Sequence, residues 1–448
     1  MLKKILFYTS LGAVTLTPLL AQADTTPLFD NDNLFQPKLN IYFRSGIGTS
    51  SKSGGTKASD NYAKQMVGRL GNEYDTYSEI GLGEEVYNKD GRAFYVDSMF
   101  SMDSNGYSES ENTSDNSSNF GLKQLNIRGK GLITSNPDAI VWAGKRFYQR
   151  HDLHIIDTKY WNISGYGAGI EDFKAGPGKL AVAWMRNDSS SNDTKLYGPN
   201  GKKYDDNLNV NIADVRYSGL SPWEGSWMEL GIDYAMPNKT DGQKHAGVGT
   251  VSGIDYKDAK NGVMLTAVLG QKMFSQYTTF VAQYANKGMA QNMTSQGGGW
   301  YDSWNDTSDA TGYRFINTSN LTFGKRVSVN YVLIYGHSSN IDAGGQDQRL
   351  ISFVTRPIYQ WDNYNKTMAE IGYFNLKRSD TSNSDSKGHK ITIAQAWSAG
   401  PGLYARPEIR LFATYVKFDS GPDSEANQVA DGNSDHDFRY GVQGEVWW

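Results

Sequence analysis

Apolar and polar residues alternate with a period of two along much of this chain. In the last eleven residues Phe438, Tyr440, Val442, Val446 and Trp448 share one side, while Arg439, Gln443, Glu445 and Trp447 share the other. Strand side chains point alternately to opposite faces, so such a stretch predicts a strand with one apolar and one polar face. Val327, Val329, Tyr331, Leu333 and Tyr335 repeat the pattern, as do Ala369, Ile371 and Tyr373. Ile391, Ile393 and Trp397 follow it with Gln395 as the exception, and Ile409, Leu411, Ala413 and Tyr415 oppose Arg410, Phe412 and Thr414. Short polar turns, or longer Asn/Ser/Asp/Gly-rich loops such as 104–119, 187–207 and 421–437, separate these segments. No helical period of comparable length is present.

Segments of about ten residues with apolar residues on one face and polar ones on the other predict a transmembrane antiparallel β-barrel. In lipid every backbone N–H and C=O needs an internal partner, which forces the sheet to close. Tyr, Trp and Phe occupy many apolar-face positions at strand ends, as an interfacial girdle requires. The alternative is a secreted all-β protein with a packed core. Arg406, Glu408, Arg410, Arg439 and Glu445, on the faces opposite the apolar rows, argue against it, because burying unpaired charges is costly.

The N-terminus agrees with export. Residues 1–23 carry Lys3 and Lys4, an apolar stretch, and Ala21-Gln22-Ala23, which predicts a signal peptide cleaved before Asp24. Residues 24–38 then form an N-terminal extension and 39–448 the barrel. Removing the signal takes the formal charge of the 448-residue chain from −4 to −6, so no basic excess points to nucleic acid. No cysteine is present, which excludes a disulfide framework, thiolate metal sites and cysteine nucleophiles. Aromatic residues make up 13% of the chain, too many for a disordered one.

Three stretches go beyond pattern. The first is Tyr42-Phe43-Arg44-Ser45-Gly46-Ile47-Gly48, with Arg69-Leu70-Gly71-Asn72-Glu73 and Thr76-Tyr77-Ser78-Glu79. The second is Trp142-Ala143-Gly144-Lys145-Arg146-Phe147-Tyr148-Gln149-Arg150-His151-Asp152, continuing through His154, Asp157, Tyr160-Trp161 and Ile163-Ser164-Gly165. The third runs from Arg406-Pro407 through Phe412-Ala413-Thr414-Tyr415 to Trp447-Trp448. Together they resemble the maltoporins, sugar-specific porins of the Gram-negative outer membrane.

That resemblance implies an 18-stranded barrel in outer-membrane lipid, assembled as a homotrimer, with an inward-folded constriction loop. It implies facilitated diffusion of maltose or maltodextrin-type oligosaccharides along a row of aromatics, with no enzyme activity and no cofactor. A periplasmic sugar-binding protein is an implied partner. The aromatic row matches at Tyr42, Tyr77, Tyr277, Tyr404 and Trp447, and Tyr107 is the candidate for the ring a neighbouring subunit supplies. The polar track matches at Arg44, Arg69, Glu79, Arg150, Asp152 and Asp157, with Lys123 where the family has Arg. Alternation supports this separately: Tyr42 and Arg44 share a face against Ile41 and Phe43, and Tyr77 and Glu79 share one against Ile80 and Leu82. Tyr and Trp suit pyranose rings, offering a flat apolar surface with a polar edge, and charged neighbours make charge-assisted hydrogen bonds to hydroxyls.

Two departures stand out. The family staples its first loop with a disulfide; here Tyr74 holds one partner position, so loop 50–64 needs another anchor. Lys159 replaces the tyrosine at the family's narrowest point. It either places a positive charge in the constriction, favouring a different or anionic glycan, or pairs with Asp157 or Asp152. An adhesive or structural barrel is a third reading, and a barrel enzyme a fourth, but no activated serine set is visible. His151-x-x-His154 does not read as a metal site, since no third ligand is placed.

Overall fold

A computed structural model describes residues 38–51, 61–104, 118–188, 196–197, 203–204, 208–244, 256–273, 276–303, 306–379, 385–419 and 435–448. The signal segment, residues 24–37 of the extension, and Tyr107 lie outside them. Eighteen strands form one sheet in which all pairings are antiparallel, from Lys38–Ser50 to His436–Trp447. The first strand pairs with the last, Tyr42 opposite Trp447 and Arg44 opposite Glu445, and this closes the cylinder. No helix among the described residues is long and apolar enough to cross a membrane. The strands cross instead, with every ladder hydrogen bond internal to the sheet.

The two faces separate as the alternation predicts. Ile391, Ile393, Ile409 and Leu411 are exposed on the outer surface, whereas Lys390, Thr392, Glu408 and Arg410 are buried inside. The inner charges are paired: Lys390 with Glu370 at 2.7 Å, Lys366 with Glu408 at 2.6 Å, and Arg410 with Glu408 at 2.9 Å. Pairing removes most of the cost of placing them away from bulk water.

Three segments leave the wall and pack on inward-facing side chains. Residues 61–75, with the Asn61–Val67 helix, dock where Lys390 donates to the carbonyls of Gly68 and Leu70 at 2.7 and 2.6 Å. Tyr74 is 1% exposed there, its ring 5.6 Å from that of Phe412, and it fills the room above Gly48 that a β-carbon would need. Apolar packing and buried ion pairs thus anchor the part of the first loop that the structure describes. Residues 147–164 form a hairpin of His151–Leu153 and Thr158–Trp161. Trp161 Nε1 donates to Asp233 at 2.8 Å and the Tyr148 hydroxyl to Asp214 at 3.1 Å, two buried carboxylates on neighbouring strands. The third segment, 287–303, lies against the Thr311–Phe323 and Val327–Ser339 strands, where Ser338 donates to the Ala290 carbonyl at 2.9 Å.

Candidate functional site

The seam where first and last strands meet carries the candidate site. Register places Tyr42 between Trp447 on one side and Glu79 on the other, with Arg44 opposite Tyr77. The Tyr42 ring is 6.3 Å from that of Trp447, nearly parallel at 19°, and 6.0 Å from that of Tyr77. Three aromatics far apart in sequence thus form one contiguous row on the inner wall. Cations overlie its ends: Arg406 stands 3.9 Å from the Trp447 ring and Arg44 5.1 Å from that of Tyr77. Such cation–π contact over the ring faces fixes the rings.

A buried network fixes the polar side. Arg44 binds Asp75 through two bonds of 2.9 and 2.7 Å. Arg69 reaches Glu73 at 2.9 Å, the Tyr42 hydroxyl at 3.1 Å and Glu445 at 3.2 Å. The Tyr77 hydroxyl donates to Glu79 at 2.6 Å. Burial alone would raise Glu73, but Arg69, Arg44 and Lys64 outweigh it and hold the carboxyl down at about 2. Burial would also raise Asp157, yet Arg69 and Lys64 hold it below the usual carboxylate range; Lys64 lies 2.7 Å away. Burial, reinforced by the Arg69 charge, pushes His154 down to about 3, so its imidazole is neutral at physiological pH.

A cavity of about 550 Å³ opens onto this surface. Tyr42, Tyr77 and Trp447 line it, with Arg44 and Glu79 from the wall, Arg69 from the inward-folded 61–75 segment, and Arg150, Asp152, Asp157 and Lys159 from the hairpin segment. Ten of the fourteen positions singled out from sequence therefore meet in one place. Tyr277 and Tyr404 line a second chamber of about 420 Å³, and Asp152, Leu153 and His154 border both. The His154 ring bridges the aromatics of the two chambers, 5.8 Å from Trp447 and 5.3 Å from Tyr404. Lys123 lines neither chamber; it is the extra residue of a bulge between Phe100–Leu122 and Met99–Gln124 pairings.

Lys159 pairs with Asp152 at 3.7 Å, while Asp157 is taken by Lys64. Both members of the Lys159 pair keep access to water, their side chains 28% and 54% exposed. Sequence reasoning missed Lys64, Asp75 and Asp103 of the lining, and His154 as a channel residue. His154 belongs to the family-like stretch, which was a usable signal. Lys64 and Asp75 reach the site only because loop 61–75 folds inward.

A closed barrel with an apolar exterior and a charged, aromatic-lined interior is that of a transmembrane porin. Residues 38–448 match the LamB porin family, and the chain belongs to it. It is 50% identical over 421 residues to Maltoporin 1 of Aeromonas salmonicida (strain A449), covering 91% of this chain and 93% of that relative. It is 49% identical over 410 residues to Maltoporin 2 of Yersinia pestis (strain Pestoides F), with 91% and 93% covered. The outer membrane protein OpdK of Pseudomonas aeruginosa shares the fold, with a TM-score of 0.50 at 11% identity over 92% of this chain and 99% of that one.

Proposed function

We propose that this Gram-negative outer-membrane porin passes neutral, malto-type oligosaccharides by facilitated diffusion, with Tyr42, Tyr77 and Trp447 as the stacking surface. The observation that carries this is the ring-to-ring row at the barrel seam, bordered by fixed donors and acceptors inside an open cavity. A pyranose lays its C–H face on such rings and gives its hydroxyls to Arg44, Arg69, Glu79, Arg150, Asp152 and Asp157. Moderate, repeated sites let a solute enter and leave, the condition conduction imposes. Tyr404 and Tyr277 continue the path beyond the hairpin, which narrows the channel.

Neutral sugars are favoured over anionic ones by the second chamber. Among the described residues its lining carries Thr279, Thr318, Asn320 and Asn330, no lysine or arginine, and Asp152 as its one carboxylate, which disfavours an anionic glycan. Lys3, Lys4, the apolar stretch after them and Ala21-Gln22-Ala23 support residues 1–23 as an export signal, and the family resemblance alone supports two further parts of the proposal: assembly as a homotrimer with a neighbour's Tyr107 adding a ring, and delivery to a periplasmic sugar-binding protein.

The test is current through planar bilayers titrated with maltotriose and with a uronic-acid oligosaccharide of equal length. Saturable block by maltotriose, with weaker block by the acidic sugar, is expected. Stronger block by the acidic sugar would favour the anionic reading, and an open channel that neither sugar blocks would refute both.

A further inference from the structure

We propose that Arg314 is a positioning residue for transport: it sets where the hairpin holds Lys159 and Asp152 in the channel. The proposal rests on reading this channel as the sugar pathway. Arg314 is 1% exposed, and no carboxylate among the described residues pairs with it. Its guanidinium instead spends its donors on four acceptor groups. Nε and Nη2 reach Gln283 Oε1 at 2.9 and 2.6 Å. Nη1 donates to the Asn292 carbonyl at 2.9 Å, and Nη2 to the carbonyls of Tyr160 and Gly297, each at 2.9 Å. One side chain thus ties together a barrel strand, the hairpin and the 287–303 segment.

The same segment carries the hairpin on either side of Lys159. Thr158 Oγ1 donates to the Gln296 carbonyl at 2.9 Å, and the Asn162 amide to the Gly298 carbonyl at 2.7 Å. A β-carbon on Gly298 would lie 2.6 Å from the Lys159 carbonyl oxygen, so this bed fits the hairpin backbone closely. Gln283 adds a second donor to the Tyr160 carbonyl at 3.0 Å. Residues 158, 160 and 162 are therefore fixed from behind, which leaves the Lys159 side chain to face the cavity.

Stability alone does not account for the arginine. A buried cation without a counter-ion costs free energy that an apolar side chain of similar volume avoids. What the guanidinium adds is a rigid, planar fork that reaches carbonyls on two separate segments at once. Lysine, a point donor on a flexible stem, does not reproduce this.

The test uses the full-length protein, which has no cysteine of its own. A nitroxide on Lys159→Cys reports the hairpin's mobility by electron paramagnetic resonance, alone and combined with Arg314→Met, Arg314→Lys or Gln283→Met. The Arg314→Met spectrum is expected to gain a mobile component, with Arg314→Lys intermediate and the melting temperature of the barrel kept. In bilayers, Arg314→Met without the label should shorten maltotriose residence about fivefold, the size of one misplaced hydrogen bond of ~1 kcal/mol. If Arg314→Met does not fold, Gln283→Met, which removes one donor to the Tyr160 carbonyl, carries the same expectation. Unchanged spectra and residence times in a folded variant would overturn the proposal. If the unmutated channel shows no sugar block, the transport reading fails, while the spectra still decide whether Arg314 positions the hairpin.

Discussion

Replacing Lys159 with methionine removes one positive charge from the channel and leaves the hairpin's anchors in place. Its partner Asp152 is 3.7 Å away and both side chains are partly exposed, so the pair itself contributes at most about 1 kcal/mol. The hairpin stays docked, because Thr158 and the Tyr160 carbonyl are held by Gln296, Gln283 and Arg314. What changes is the field felt by passing ions. At a distance of about 5 Å in water, one unit charge is worth 332/(80 × 5), or ~0.8 kcal/mol, which is about fourfold in relative permeability for each sign of ion. The assay is the reversal potential of bilayer-reconstituted channels in a KCl gradient. Lys159→Met should shift the K⁺-to-Cl⁻ permeability ratio toward K⁺ by up to about sixteenfold at millimolar salt, about fourfold from each ion. Asp152→Asn should shift it the other way. Both shifts should shrink near 1 M, where the Debye length is about 3 Å. A reversal potential unchanged by Lys159→Met at low salt, or a shift of equal size at high salt, would refute the reasoning.

Three other outcomes follow from the same geometry. Trp447→Ala and Tyr42→Ala should each weaken maltotriose block by about 2- to 13-fold, the range of one lost stacking contact of ~0.5–1.5 kcal/mol, while Phe438→Ala on the outer face leaves block unchanged. Tyr74→Ala should destabilise the protein by about 3–5 kcal/mol through the cavity left beneath loop 61–75, read as a lower denaturant midpoint in detergent; a midpoint equal to wild type would mean the ring is not an anchor. Acid should loosen that loop. Glu73 and His154 both have folded pKa values below their ordinary ones, so each adds stability that is complete above its unfolded value and lost as pH falls. For His154 the loss runs from about 6.5 down to about 3, and for Glu73 from about 4.5 down to about 2. The Arg69 amide, which donates to the Ile155 carbonyl at 2.9 Å, should therefore lose hydrogen-exchange protection between pH 7 and pH 3 once intrinsic rates are corrected; equal protection at both values would contradict the assignment.

The wall was legible because its code is local. Alternation alone sorted Ile409 and Leu411 outward and Glu408 and Arg410 inward, and the same parity put Tyr42, Arg44, Tyr77 and Glu79 on the inner face. The inner packing was not legible, because its contacts join residues hundreds of positions apart. Lys390 meets Gly68 across 322 residues, and nothing near either marks the meeting. Lys64 and Asp75 escaped notice for that reason. Lys159 was ambiguous for another: a lysine between two aspartates has two plausible partners, and Lys64, arriving from the first loop, settles which aspartate is left. Lys123 shows the limit of parity itself, since a bulge breaks the alternation that would have aimed it.

The most direct measurement is a crystal structure of the protein with maltotriose bound. The account predicts glucose rings lying flat over Tyr42, Tyr77 and Trp447, with their hydroxyls on Arg44, Arg69, Glu79 or the hairpin carboxylates. A sugar seated away from these rings, or a channel that stays empty while maltotriose blocks its current, would contradict it.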